Sequence, residues 1–255
     1  MLYQAHRGVC TEYPENTMPA FQAAVQQGYH IIELDPSFTA DNQCVIHHDP
    51  TINRTCRTQF GENLDEQVPV TQVTYEQLMQ YDAGLWKDTS FRGTKVPLLR
   101  EVLSLAKETG IALKIDNIFA AFSDEQQEIL FHEVKRSGAN VGFTCPSIES
   151  VRKVVAQFPA AEIHYDGVVN EENVRAVFAE LKDNPYTVWL PLDCSGTSWS
   201  KLPKANKTLC EMVKKYARLG IWLLKTQEEL EQASSLGADV IETDGSLKPV
   251  PDFAF

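Results

Sequence analysis

The run Ile31-Ile32-Glu33-Leu34-Asp35-Pro36-Ser37-Phe38-Thr39-Ala40-Asp41-Asn42-Gln43-Cys44-Val45-Ile46-His47-His48 decides how the rest of the chain is counted. It holds two apolar, strand-like segments, 31–35 and 45–48. Too few residues join them for the crossover that parallel neighbours require, about a dozen or more. Ala40-Asp41-Asn42-Gln43 therefore reads as a hairpin turn, and 45–48 as an antiparallel return strand that brings His48 back beside Asp35.

Outward from this hairpin, short apolar runs alternate with helical patterns, the signature of repeated β-α units. Further strand segments fall at 2–6, 111–116, 141–144, 162–165, 187–190, 221–224 and 239–242. Capping boxes open helices at Thr74-Tyr75-Glu76-Gln77, Ser123-Asp124-Glu125-Gln126 and Thr226-Gln227-Glu228-Glu229. Gly28, Gly110, Gly138 and Gly237 mark helix ends that need a left-handed residue. With the return strand set aside, eight strands remain. The pattern predicts a TIM-type (β/α)₈ barrel over 1–255, one domain, with the hairpin and a rim excursion over about 36–97. A short helix is expected inside the excursion near 75–81.

A chain of 255 residues that is 43% hydrophobic can bury a full barrel core. Its net charge of −12 opposes nucleic-acid binding and stable association with an acidic membrane, because both favour a basic face. The six cysteines, Cys10, Cys44, Cys56, Cys145, Cys194 and Cys210, have no zinc-site spacing and read as reduced thiols. Cys44 and Cys56 are the one pair that a loop brings within range of a disulfide. The N-terminal residues lack the pattern of an export signal, and no stretch is long and apolar enough to span a bilayer, so a cytoplasmic protein is expected.

Strand geometry then picks out the chemistry. Side chains two apart on a strand share a face, so Glu33 and Asp35 project together at a strand end. Hard carboxylate oxygens suit Mg²⁺ or Ca²⁺. His6 ends the first strand beside Arg7, and His48 ends the return strand beside Asp49. Two imidazoles at a barrel rim can pass protons near neutral pH. His30, His47, His132 and His164 read as structural, and Trp222 as packing.

The local strings extend this reading. Ala5-His6-Arg7-Gly8, Pro14-Glu15-Asn16-Thr17 with Ala20-Phe21, Ile32-Glu33-Leu34-Asp35, Thr39-Ala40-Asp41, and His48-Asp49 with Arg54-Thr55 resemble the glycerophosphodiester phosphodiesterase family in order and spacing. Asp82-Ala83-Gly84 with Trp86, Val96-Pro97-Leu98-Leu99, Glu101-Val102-Leu103 and Thr243-Asp244 continue the resemblance. It implies a barrel that uses a divalent metal, Mg²⁺, Ca²⁺ or Mn²⁺, to hydrolyse a small glycerophosphodiester to glycerol 3-phosphate and an alcohol. It further implies His6 and His48 as the acid/base pair, Glu33 and Asp35 as metal ligands, and Arg7 as a phosphate contact. The glycerol hydroxyl is the implied nucleophile, by way of a cyclic phosphate.

The chain departs from the family at Lys114-Ile115-Asp116, where the family reads Glu, one residue, Lys. With the charges reversed on one strand face, Asp116 becomes the expected third metal ligand and Lys114 a phosphate contact. Thr144-Cys145-Pro146-Ser147 and Leu224-Lys225 stand where the family commonly has Ser-Phe and Trp-Thr, which leaves the departing alcohol open. Two other readings compete: a sphingomyelinase D-like lipid phosphodiesterase, and a barrel that binds phosphodiesters without turning them over.

Overall fold

The computed structural model describes residues 1–116, 118–181, 184–193 and 202–249. Its strands are β1 (Leu2–His6), β2 (Ile31–Leu34), β3 (Pro36–Phe38), β4 (Cys44–Ile46), β5 (Ala112–Ile115), β6 (Val141–Cys145), β7 (Ile163–Tyr165), β8 (Tyr186–Pro191), β9 (Arg218–Leu224) and β10 (Val240–Thr243). Eight of them close a parallel barrel in the order β1-β10-β9-β8-β7-β6-β5-β2. The expected barrel is therefore present, and β3 and β4 form the hairpin outside it.

The hairpin differs from expectation in its partner. The return strand pairs with Pro36–Phe38, in the register Pro36↔Ile46, Ser37↔Val45 and Phe38↔Cys44, and not with the barrel strand itself. Pro36 supplies the physical reason: it has no N–H to continue the ladder of β2, so the chain leaves the barrel there. The His47 N–H donates to the Asp35 carbonyl at 2.7 Å and closes the base of the hairpin.

Helices cover the barrel's outer face. They are α1 (Met18–Gln26), α3 (Leu99–Thr109), α5 (Asp124–Ser137), α6 (Ile148–Gln157), α7 (Glu171–Leu181), α8 (Lys207–Val213) and α9 (Gln227–Ser235), with short α2 (Tyr75–Leu78) and α4 (Ile118–Ala121) beside the rim segments. The capping boxes at Thr74, Ser123 and Thr226 all form. Outward strand residues and inward helix residues share one core, in which Phe21, Leu99, Leu103, Phe131 and Phe143 are buried.

Inside the barrel, alternation gives a different composition. Ile31, Trp189 and Val240 make a small apolar layer, and Leu2, Ala112 and Trp222 pack against it. Gly220 makes room for that layer, because a Cβ there would stand 2.6 Å from the Trp189 ring. Two residues further along their strands, Gln4, Glu33, Lys114 and Glu242 bury polar groups in the lumen. This polar tier carries the site.

The rim excursion has its own core of Val45, Ile52, Cys56, Val70, Leu78, Ala83, Val96 and Leu98. Cys44 packs instead with the main core, and both Cys44 and Cys56 are buried free thiols, so this pair forms no disulfide. Cys194 lies outside the described residues. Among the described residues, no helix is long and apolar enough to cross a membrane.

Candidate active site

Ends of β1, β2, β5, β7, β8, β9 and β10 surround one cavity of about 200 Å³. His6, Arg7, Asp35, His48, Lys114 and Asp116 line it, so the hairpin brings His48 into the same cavity as Asp35. A larger surface groove between α3 and α5 holds none of these residues.

Glu33, Asp35 and Asp116 each present a carboxylate oxygen within 4.8 Å of the others. Glu33 is buried among like charges; burial first, then Asp35 and Glu242, push its pKa well above the carboxylate range. Such crowding calls for a cation, and an all-oxygen donor set is of the hard type that Mg²⁺, Ca²⁺ and Mn²⁺ accept. The residues present thus fit a divalent metal.

A chain of charges links this cluster to His48. Asp35 Oδ2 accepts from Asn16 Nδ2 at 2.8 Å and lies 3.2 Å from Arg7 Nε. Arg7 Nη1 donates to Glu15 at 2.8 Å, and Glu15 accepts in turn from Arg54 Nη1 at 2.7 Å. Arg54 Nε donates to Asp49 Oδ2 at 2.6 Å, and Asp49 Oδ1 stands 2.7 Å from His48 Nδ1. That contact occupies one nitrogen of His48, as an orienting carboxylate does in many imidazole sites. Against the opposing effect of burial, Arg54 and Arg7 hold Glu15 at about 2.

The backbone is bent to deliver these groups. Arg7 has φ of 57° and Asn16 of 55°, left-handed conformations that cost roughly 1–3 kcal/mol at a non-glycine residue. Hydrogen bonds offset that cost: the Arg7 N–H reaches Glu33 Oε2 at 2.9 Å, and the Asn16 N–H reaches the Arg7 carbonyl at 3.0 Å. Gly8 follows Arg7 because a Cβ there would lie 2.8 Å from Ala20.

His6 is enclosed at the barrel mouth, and burial lowers its pKa below the ordinary imidazole range despite the opposing field of Glu242. The histidines read as structural are held that way where they are buried. His47 bridges the Asp49 carbonyl and Thr55 Oγ1, and His164 accepts from Trp189 Nε1 at 3.1 Å in the barrel interior. His30 Nδ1 accepts from the Tyr3 N–H.

The far wall is apolar, with Val169, Leu190, Pro191, Trp189 and Trp222. Trp222 was expected as packing; it packs against the apolar layer and also faces the cavity. Leu224 and Lys225 do not line it, since Leu224 points into the main core. Asp166, at the end of β7, borders this wall; loss of hydration within the cavity, then Asp116, push its carboxyl up to about 6.

Glu15, Arg54, Gln4, Asp166 and Glu242 join the site without a role predicted from the sequence. Glu15 and Arg54 stood inside the motif strings, which was the available signal. Glu242 carried none beyond its place at a strand end.

A closed parallel barrel whose rim gathers carboxylates, imidazoles and cations in one cavity has the groups that hydrolysis of a phosphoric diester uses. The sequence model of the glycerophosphoryl diester phosphodiesterase family matches residues 6–187, and the chain belongs to that family. It is 26% identical to YhdW of Bacillus subtilis (strain 168), over 98% of this chain and 94% of that protein. It is 25% identical to a glycerophosphodiester phosphodiesterase of Caldanaerobacter subterraneus subsp. tengcongensis, over 94% of this chain and 92% of that one. An Oleispira antarctica phosphodiesterase, solved with the product sn-glycerol-3-phosphate, shares the fold at a TM-score of 0.74 and 17% identity, covering 96% and 94% of the two chains.

Proposed function

We propose that this protein hydrolyses glycerophosphodiesters to glycerol 3-phosphate and an alcohol, in a reaction that depends on a divalent cation and on His6 and His48. The observation that carries the proposal is the single cavity in which both imidazoles face Asp35, Asp116, Arg7 and Lys114. Mg²⁺, Ca²⁺ or Mn²⁺, when bound by Glu33, Asp35 and Asp116, supplies charge neutralisation for the non-bridging phosphate oxygens.

The chain's own groups do the rest. Arg7 and Lys114 add charge-assisted contacts to the same phosphate, which an acidic protein otherwise repels. One imidazole takes the proton of the attacking glycerol hydroxyl and the other returns one to the departing alkoxide, and water then opens the resulting cyclic phosphate to glycerol 3-phosphate. The Asp49 contact holds the His48 ring in place for its share of this work. The alcohol rests against Trp222, Leu190 and Pro191.

The protein works in this reading as one cytoplasmic barrel domain on a small soluble substrate. A net charge of −12 supports the absence of nucleic-acid and stable membrane partners. The test is a panel of glycerophosphodiesters assayed for glycerol 3-phosphate release with Mg²⁺, Ca²⁺ and Mn²⁺, and again with chelator. Turnover that stops on chelation is expected; no turnover with any cation would sink the proposal, and binding without product would favour the silent barrel.

A further inference from the structure

Glu242 lies in the barrel lumen at the end of β10, in register with Gln4 of β1. Its Oε2 accepts from Gln4 Nε2 and stands 3.6 Å from Lys114 Nζ. The Lys114 ammonium also lies 4.8 Å from the centre of the Trp189 ring. Both charged side chains are under a tenth exposed, at 8% and 7%. Burial works against the ammonium, yet Glu242, and after it Asp116 and Glu33, hold its pKa above the ordinary lysine value.

Lys114 has a choice of carboxylates. Glu33 is its partner on the neighbouring strand, and Asp116 follows two residues later on the same face. A lysine stem is flexible enough to serve any of them, and the ammonium stands with Glu242. Glu242 is anchored by Gln4, and it approaches from β10, which the barrel order sets two strands from β2 and three from β5.

We propose that Glu242 is a positioning residue: it holds the Lys114 ammonium toward Trp189 and off Glu33, Asp35 and Asp116, so that those carboxylates take a cation and Lys114 takes the phosphate. The proposal rests on the function given above. Removing the Glu242 charge turns Lys114 onto Asp116 and Glu33, where an ammonium competes with the metal.

Calorimetric titration with Mn²⁺ and with Mg²⁺ reads the cation site without turnover. Glu242→Gln keeps the size of the side chain and is expected to weaken cation binding about tenfold or more, the usual effect of disturbing groups behind metal ligands. In the Lys114→Met background the same change is expected to leave cation affinity where Lys114→Met alone puts it. Steady-state kinetics should show a raised KM in Lys114→Met and no further rise in the double variant.

Wild-type affinity in E242Q, or an equal loss with and without Lys114, overturns the role of Glu242. If E242Q does not fold, because a buried ammonium has lost its partner, the comparison of K114M with K114M/E242Q decides: equal cation affinity supports the proposal, and a further loss overturns it. Wild-type protein that binds no divalent cation and cleaves no glycerophosphodiester removes the function proposed above. Wild type that does both while E242Q matches it removes only this inference.

Discussion

At the scale of single residues, His6 and His48 reach the cavity by different routes, one on a barrel strand and one just beyond the hairpin. If they divide the proton transfers, His6→Ala and His48→Ala should each lower kcat by roughly 10²- to 10⁴-fold. Circular dichroism and the thermal midpoint should stay near wild type, because neither ring is part of the apolar core. Equal kcat in either variant would remove that histidine from the mechanism. These residues are legible because strand ends at a barrel rim face one cavity, so the strand pattern alone gives each ionisable group there a place. Asp116 was legible for the same reason, and its oxygen does join those of Glu33 and Asp35. Glu242 was not: a glutamate at a strand end looks the same in sequence whether it meets solvent or a lysine from across the lumen. The contact that distinguishes it spans 128 positions from Lys114, which no local pattern records.

At the scale of elements, the excursion is fastened by two carboxylates. Asp82 is buried, and its oxygens accept from the backbone N–H groups of Gly84 at 2.8 Å, Leu85 at 2.9 Å and Gly93 at 2.6 Å. Asp82→Ala strands those donors and should lower stability in urea unfolding by about 3 kcal/mol or more. Gly84 shares the constraint, because a Cβ there would stand 2.1 Å from the Phe91 carbonyl oxygen. The second fastening is Glu15 between Arg7 and Arg54, which ties the loop after β1 to the excursion. Its ordinary value of 4.5 falls to about 2 in the folded chain. Its contribution is therefore complete above pH 4.5 and is lost as the pH falls through about 2. Urea unfolding of wild type and Glu15→Gln should differ by on the order of 2–3 kcal/mol at pH 6 and converge toward pH 2. A gap that stays constant across that window would show that the ion pairs do not set it. The hairpin itself was read correctly as a turn at 40–43. Its true partner was missed because Pro36–Phe38 is too short to register as a strand, and only the missing N–H of Pro36 hinted at a break.

At the scale of the whole molecule, the charge of −12 and the buried carboxylates belong to one account. The barrel holds Glu33, Asp35, Asp116 and Glu242 in its mouth against Arg7 and Lys114, so the fold carries an electrostatic cost that a cation bound there would relieve. Binding to the folded state alone must then raise stability by mass action, by about 2.7 kcal/mol at a hundredfold excess over Kd. For a chain of 255 residues this corresponds to a rise of several degrees in the thermal midpoint, on the order of 5–10 °C. Mg²⁺, Mn²⁺ and Ca²⁺ should each be tested, with the chelated protein as reference. Asp116→Ala should lose most of that rise while its own midpoint without cation increases, since one like charge has left the trio. A cation-induced rise that survives Asp116→Ala would place the ion elsewhere on this acidic surface. No rise in either protein would mean that Arg7 and Lys114 already balance the trio, and the reversed pair Lys114 and Asp116 would then mark a barrel built to manage phosphate with its own cations.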